Sequence, residues 1–254
     1  MPRELLNRVR ESGKSGSERR GIGGALNVHG QGCYSQDGEL HIMDNPGPTA
    51  RLLPKILRIV GAIFAAAAAY HRFLRPLHLH WGATEEEGER PMPGDGFVHA
   101  PYVTTTRAVS IKTGPGRIWP WLVQMGDRRG GLYSYDFLDR AFGILSGPSA
   151  DRILPEFQGL AAGDVIPLGK GPDWPVQVLD PERAMVLEPV SGRVSWCFAL
   201  YPDGDVTRLV SRVRVRIYTR AVLWILAPLV DACWFIMERK MLKGICERAE
   251  KPGV

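Results

Sequence analysis

Residues 194–218 read VSWCFALYPDGDVTRLVSRVRVRIY, and they decide the fold. The apolar run Val194 to Tyr201 is followed by Pro202-Asp203-Gly204-Asp205, which has the residues a hairpin turn demands. In Thr207 to Tyr218, Arg212, Arg214 and Arg216 alternate with Val213, Val215 and Ile217. A period of two marks a strand with one apolar and one wet face. The stretch is expected to be an antiparallel hairpin and not a basic patch for nucleic acid.

Beyond the hairpin, Pro228 to about Glu250 is expected to be a long helix. Leu229, Cys233, Ile236, Met237, Met241, Gly244 and Ile245 recur at spacings of three and four. Glu238, Arg239, Lys243, Glu247 and Arg248 fall mainly on the other side, and Pro228 suits a first turn. The overlapping run Ala221 to Met237 is apolar enough for a membrane helix. Pro228 and Asp231 interrupt it, so it is expected to belong to the domain.

Upstream of the hairpin, Tyr102 to Lys112 alternates at Val103, Thr105, Arg107, Val109 and Ile111, as a first strand would. Gly114-Pro115-Gly116 breaks it. Arg117 to Met125 reads as a short helix with Ile118, Trp121, Leu122 and Met125 on one face. Tyr133 to Phe142 reads as a second helix that Ser134 can cap. Further strands are expected at Asp164–Leu168, Val176–Leu179 and Ala184–Glu188, with a turn at Asp180-Pro181-Glu182-Arg183. The sum is an α+β domain over residues 98–250.

Residues 1–50 read as a disordered tail, polar and rich in Gly, Ser and Pro. Gly13-Lys14-Ser15 is not a phosphate loop, because position 8 is Arg8 and no strand precedes it. Residues 51–75 hold a hydrophobic helix around Ile59 to Tyr70 (IVGAIFAAAAAY). It is open to three readings: a transmembrane anchor, an interfacial helix or a helix packed on the domain. Lys55 and Arg58 on one side balance Arg72 and Arg75 on the other, so orientation is undecided. Residues 76–97 read as a Pro/Gly-rich linker.

The chain has 254 residues and a net charge of +5, a mild excess that suits an anionic membrane surface. The charge is not gathered into a block, and no nucleic-acid partner is expected. The four cysteines form no CxxC pair and match no metal framework, which leans toward reduced thiols in a reducing compartment. His78 and His80 form an HxH pair without a completing ligand, so no metal site is expected. No cofactor motif is found.

Several strings resemble one group of proteins: Trp119–Met125 (WPWLVQM), Gly130–Asp136 (GGLYSYD), Ser149–Phe157 (SADRILPEF), Leu160–Val165 (LAAGDV), His78–Thr84 (HLHWGAT) and Phe235–Glu250 (FIMERKMLKGICERAE). With the element order, they make the chain similar to an uncharacterised bacterial subgroup of the START-like, or SRPBCC, superfamily. Polyketide cyclase/dehydrase-type and lipid-transfer proteins belong to that superfamily. The resemblance implies a helix-grip fold, with a curved antiparallel sheet around the C-terminal helix and an apolar cavity between them. Trp121, Tyr133, Tyr135, Trp196, Phe198 and Met237 are candidates to line it. Asp136 and Arg152 are candidates for a polar head or acid/base work. The expected function is binding or carriage of a hydrophobic small molecule or lipid, with the domain on the cytoplasmic side of an inner membrane. The alternatives are a soluble cytoplasmic location, a cyclase/dehydrase-like enzyme acting on a polyketide-type chain, and a protein-interaction domain with a filled cavity.

Overall fold

A computed structural model describes residues 33–34, 40–41, 48–190, 192–216 and 220–252. The chain divides into two compact units, Met1–Ile56 and Leu57–Val254. In the first, strands β1 (Cys33–Tyr34) and β2 (Leu40–His41) pair antiparallel. Residues 48–50 of the expected tail begin the next helix, and the rest of it lies outside the described residues.

Helix α1 (Pro48–Ala69) runs through a π turn at Tyr70–Leu74 into α2 (Arg75–Leu79). Pro76 has no N–H to return to the preceding turn, and a widened turn beside such a gap is a common accommodation. Leu52–Leu79 is thus 28 residues of near-continuous helix, longer than the stretch expected, and its most apolar window is unburied. At 1.5 Å per residue it exceeds the ~30 Å hydrocarbon core of a bilayer.

Six strands follow in one antiparallel sheet: β3 (Val103–Ile111), β4 (Val165–Ile166), β5 (Trp174–Asp180), β6 (Ala184–Val190), β7 (Val194–Asp203) and β8 (Val206–Val215). Their order is β3-β8-β7-β6-β5-β4, so the first strand closes onto the last. The expected strands are all present, with ends moved by a few residues. Register shifts at Val176/Val178 and Leu187/Val190 bend the sheet, as bulges do. Helices α4 (Pro115–Val123) and α5 (Asp136–Ala141) follow β3, and α6 (Arg220–Ala249) lies along the concave face. This is the helix-grip arrangement.

Helix α6 starts earlier than expected, so Pro228 sits inside it. An interior proline leaves the carbonyl four residues before it without its donor. That carbonyl belongs to Trp224, and His71 Nε2 donates to it at 2.8 Å. The gap is filled from α1's continuation, and the His71 ring stacks on the Trp224 ring at 5.2 Å.

The period of two divides the strands as the sequence implies. Ile111, Met185, Leu187, Trp196, Phe198, Leu209 and Val213 enter the main core with Met241 and Ile245 of α6. The opposite face is not wet. Residues 81–102, which include most of the linker expected at 76–97, fold over it. Helix α3 (Glu85–Glu89) is held by a capping box in which Thr84 Oγ1 accepts from Glu87 N–H and Glu87 returns the bond. Arg212 is buried and donates to the carbonyls of Glu87, Gly88 and Arg90 and to the Asp95 carboxylate. The alternating arginines bind a strap of backbone, and that is why the strap's composition is so polar.

Glu87 also accepts from Arg208 at 2.8 and 2.7 Å. Burial works against its carboxylate, but the Arg208 and Thr84 bonds outweigh it and hold the group below the usual glutamate range. A depressed carboxylate contributes stability above its unfolded pKa, and this is lost as pH falls through the folded value. Glu87→Gln is therefore expected to cost roughly 1–3 kcal/mol at pH 7, with the difference from wild type shrinking below about pH 4. Urea titrations at pH 7 and pH 3.5 check this. An equal difference at both pH values would refute the assignment.

Candidate functional site

Between the concave face and α6 lie two adjoining apolar chambers, of about 510 and 350 Å³. Both fall in the range of small-molecule sites, roughly 300–1,000 Å³. Leu132, Phe142, Met237 and Met241 belong to the larger. Val103, Thr105, Arg107 and Val213 belong to the smaller. Ile144, Leu168, Trp174, Val230 and Trp234 border both.

Three indoles meet at that border. Trp174 of β5 and Trp196 of β7 are 4.7 Å apart by ring centroid, and Trp196 and Trp234 of α6 are 5.4 Å apart. Their polar atoms run into one buried network. Trp196 Nε1 donates to Ser211 Oγ, which donates to Glu238 Oε1, both at 2.7 Å. Glu238 Oε2 accepts from Trp234 Nε1 at 2.7 Å and pairs with Arg107. Arg107 is fully buried and its Nε also donates to the His78 carbonyl at 2.8 Å. Two opposite charges are therefore held in an apolar space, paired with each other and hydrogen-bonded to further partners.

Asp139 borders the larger chamber and is buried. Burial raises its carboxyl above the usual aspartate range; the Ser134 hydroxyl draws it back part of the way, and the Asp136 charge adds to the rise. Ser134 serves as this donor and does not cap α5, whose N-cap is Tyr135.

Of the expected site residues, Trp196 and Met237 line the larger chamber. Trp121, Tyr133 and Phe198 are buried in the solid part of the core. Tyr133 Oη donates to the Trp121 carbonyl at 3.0 Å, a packing role. Tyr135 sets its ring edge against Phe137 at 6.1 Å. Asp136 and Arg152 are not brought together. The Asp136 carboxylate accepts from Ser149 N–H and Oγ, fixing a loop, and Arg152 is exposed. His78 stacks on Phe235 at 4.7 Å. Among the described residues, no group of three His, Cys, Asp or Glu could hold a metal ion.

The sequence reading missed Arg107, Ser211, Glu238, Thr105 and Asp139. Arg107 did leave a signal, because it shares its parity with Val103, Val109 and Ile111 and is a charge on an apolar strand face. Glu238 was placed on the solvent side of α6, yet it is 3% exposed. The first half of that helix is apolar all round, so its stripe does not define an inner side there.

No family model matches the chain, and no curated protein matches it. Solved structures similar to it include DynU16, a protein in the dynemicin biosynthetic locus, at 14% identity and TM-score 0.36, covering 55% of this chain. The chain spans 46% of the length of DynU16. Protein MLL2253 from Mesorhizobium loti is similar at 14% identity and TM-score 0.37, over 60% of this chain and 100% of that one. The Polyketide_cyc-like protein Cgl2372 from Corynebacterium glutamicum is similar at 15% identity and TM-score 0.30, over 57% of this chain and 86% of that one. The helix-grip assignment rests on the strand order, register and α6 placement described above.

Proposed function

We propose that the domain binds one hydrophobic small molecule, a lipid in the first instance, in the chambers under α6 and exchanges it with a bilayer that holds α1. One observation carries this: the chamber mouth is continuous with exposed apolar helix. Leu229 and Val230 border the larger chamber and are 74% and 42% exposed. Leu226 and Ile236 of α6 are also exposed, as are Ile59, Ile63, Phe73 and Leu77 of the preceding helices. Contiguous apolar surface of this kind marks a membrane or partner surface. Here it leads from an apolar helix of membrane-spanning length to an apolar cavity.

A second reading, a cyclase or dehydrase acting on a polyketide-type chain, draws on Asp139. A carboxyl whose pKa burial raises, beside a chamber, is a candidate proton donor. The interaction-domain reading called for a filled cavity, which a chamber of about 510 Å³ does not support.

The full chain, purified in lipid nanodiscs, is expected to yield a lipid or other apolar compound at one per chain on native mass spectrometry and organic extraction. Val230→Trp, which fills the border of the two chambers, is expected to abolish that occupancy. A protein that is empty as purified, and takes up nothing from a lipid and polyketide panel, would sink the carrier reading. Turnover of a polyketide substrate that Asp139→Asn abolishes, with binding intact, would establish the enzyme.

A further inference from the structure

The chambers also carry information on the polarity of their occupant. The charges that border them are already matched, save that of Asp139. Arg107 is paired with Glu238, whose two oxygens are taken by Ser211, Trp234 and Arg107 itself. Asp231 borders the smaller chamber, and its Oδ2 accepts from Arg75 Nε at 2.7 Å and from Tyr70 Oη at 3.3 Å. Asp139 accepts from Ser134 and has no cation beside it.

Against this stands one unmatched atom. Among the described residues, the buried side-chain polar atoms without a partner are Thr105 Oγ1 and Arg214 Nε. Arg214 lies under the outer strap, where it meets Asp95 and the Val98 carbonyl. Thr105 lies on the inner face of β3, is 6% exposed and borders the smaller chamber. A buried hydroxyl without a partner costs roughly 1–3 kcal/mol. Val103, Val213 and Val215 on that wall cannot satisfy it, and Arg107, two residues along the same face, is bonded to Glu238 and the His78 carbonyl.

We infer that the occupant is an uncharged amphiphile whose one hydrogen-bonding group, of the hydroxyl type, meets Thr105 Oγ1, with its apolar chain running past the three indoles into the larger chamber. This rests on the binding function proposed above and adds the ligand's polar chemistry. A hydroxyl suits the site because threonine offers both a donor and acceptor lone pairs. A carboxylate or phosphate would meet Glu238, Asp231 and Asp139 with no free cation to receive it. An ammonium beside Thr105 would find the oxygens of Glu238 and Asp231 Oδ2 already occupied, the acid without a cation, Asp139, bordering the other chamber, and desolvating either ion is costly.

The test uses the full chain in phosphatidylcholine nanodiscs at pH 8, with tryptophan fluorescence as the readout and ligand concentration expressed as mole fraction in the bilayer. The probes share one chain: dodecanol, dodecane, dodecanoate and dodecylamine. Dodecanol is expected to bind about fivefold to tenfold tighter than dodecane, the size of one buried hydrogen bond, and tighter than either ion. Thr105→Val, nearly isosteric, is expected to remove the alcohol-over-alkane preference while leaving dodecane affinity unchanged, and Thr105→Ser to keep the preference. Tighter binding of dodecanoate or dodecylamine, or an unchanged preference in Thr105→Val, would overturn the head-group assignment while the carrier reading stands. Failure of all four probes to bind would overturn both.

Discussion

Glu238→Ala is expected to lower the stability of the domain by about 3–5 kcal/mol, the cost of leaving one member of a buried ion pair without the other. The Arg107 guanidinium would remain fully buried with only the His78 carbonyl to receive it. The same substitution also removes the acceptor of Ser211 and Trp234, so two further donors lose their partner. Glu238→Gln keeps the shape and part of the hydrogen bonding, and is expected to lose less. The double variant Arg107→Met/Glu238→Met removes both charges and is expected to recover the part of the loss due to the unpaired guanidinium, since apolar side chains of similar volume replace buried ion pairs at little cost, while Ser211 and Trp234 still lack their acceptor. Guanidinium titrations of the four proteins decide it. A loss below about 1 kcal/mol in Glu238→Ala would mean that the pair is hydrated, contrary to its burial.

Gly244→Ala is expected to be nearly as severe for a purely steric reason. A Cβ on Gly244 would stand 2.2 Å from the Tyr133 carbonyl oxygen and 3.0 Å from Tyr133 Cβ. The loop it would strike has no easy retreat. Tyr133 already holds a φ of 58°, which non-glycine residues rarely adopt. Its N–H is bound to Ser149 Oγ at 2.9 Å, and Arg248 reaches over its ring to the Ala150 carbonyl. Either α6 lifts off or the loop gives up these bonds. A loss of about 3 kcal/mol, and a fall in Tm on the order of 10 °C, is expected. Gly147→Ala, where an added Cβ would meet nothing within 4 Å, is the control. Equal melting temperatures for the two variants would refute the close approach.

Much of the architecture was legible because it rests on local periodicity. The alternation at Val103, Thr105, Arg107, Val109 and Ile111 marked β3 to within a residue at each end. The turn residues at Pro202 to Asp205 marked the β7–β8 hairpin. Trp196 and Met237 were candidates for the cavity that the family resemblance implied, and both border the larger chamber. What escaped was non-local. Arg107 and Glu238 are 131 positions apart, and nothing near either names the other. Residues 76–97 were read as a linker from their Glu run and Pro/Gly-rich composition, whereas carbonyls and acids of the strap turn inward to Arg208, Arg212 and Arg214. Asp136 and Arg152 were candidates as a carboxylate and a guanidinium that could face one pocket, and one fixes a loop while the other faces solvent.

The bond from His71 to the Trp224 carbonyl ties two equilibria together. Pro228 cannot supply that carbonyl with a donor, so the turn of α6 before it depends on α1's continuation for one of its hydrogen bonds. Leu229 and Val230, at the chamber mouth, follow directly. Separation of the two helices would thus fray the gatepost of the cavity at the same moment, and an occupant bracing that gatepost would press the helices together. If the proposed occupant binds there, reciprocity would give its affinity and the seating of the hydrophobic helix one shared coupling free energy, so that altering either would change the other.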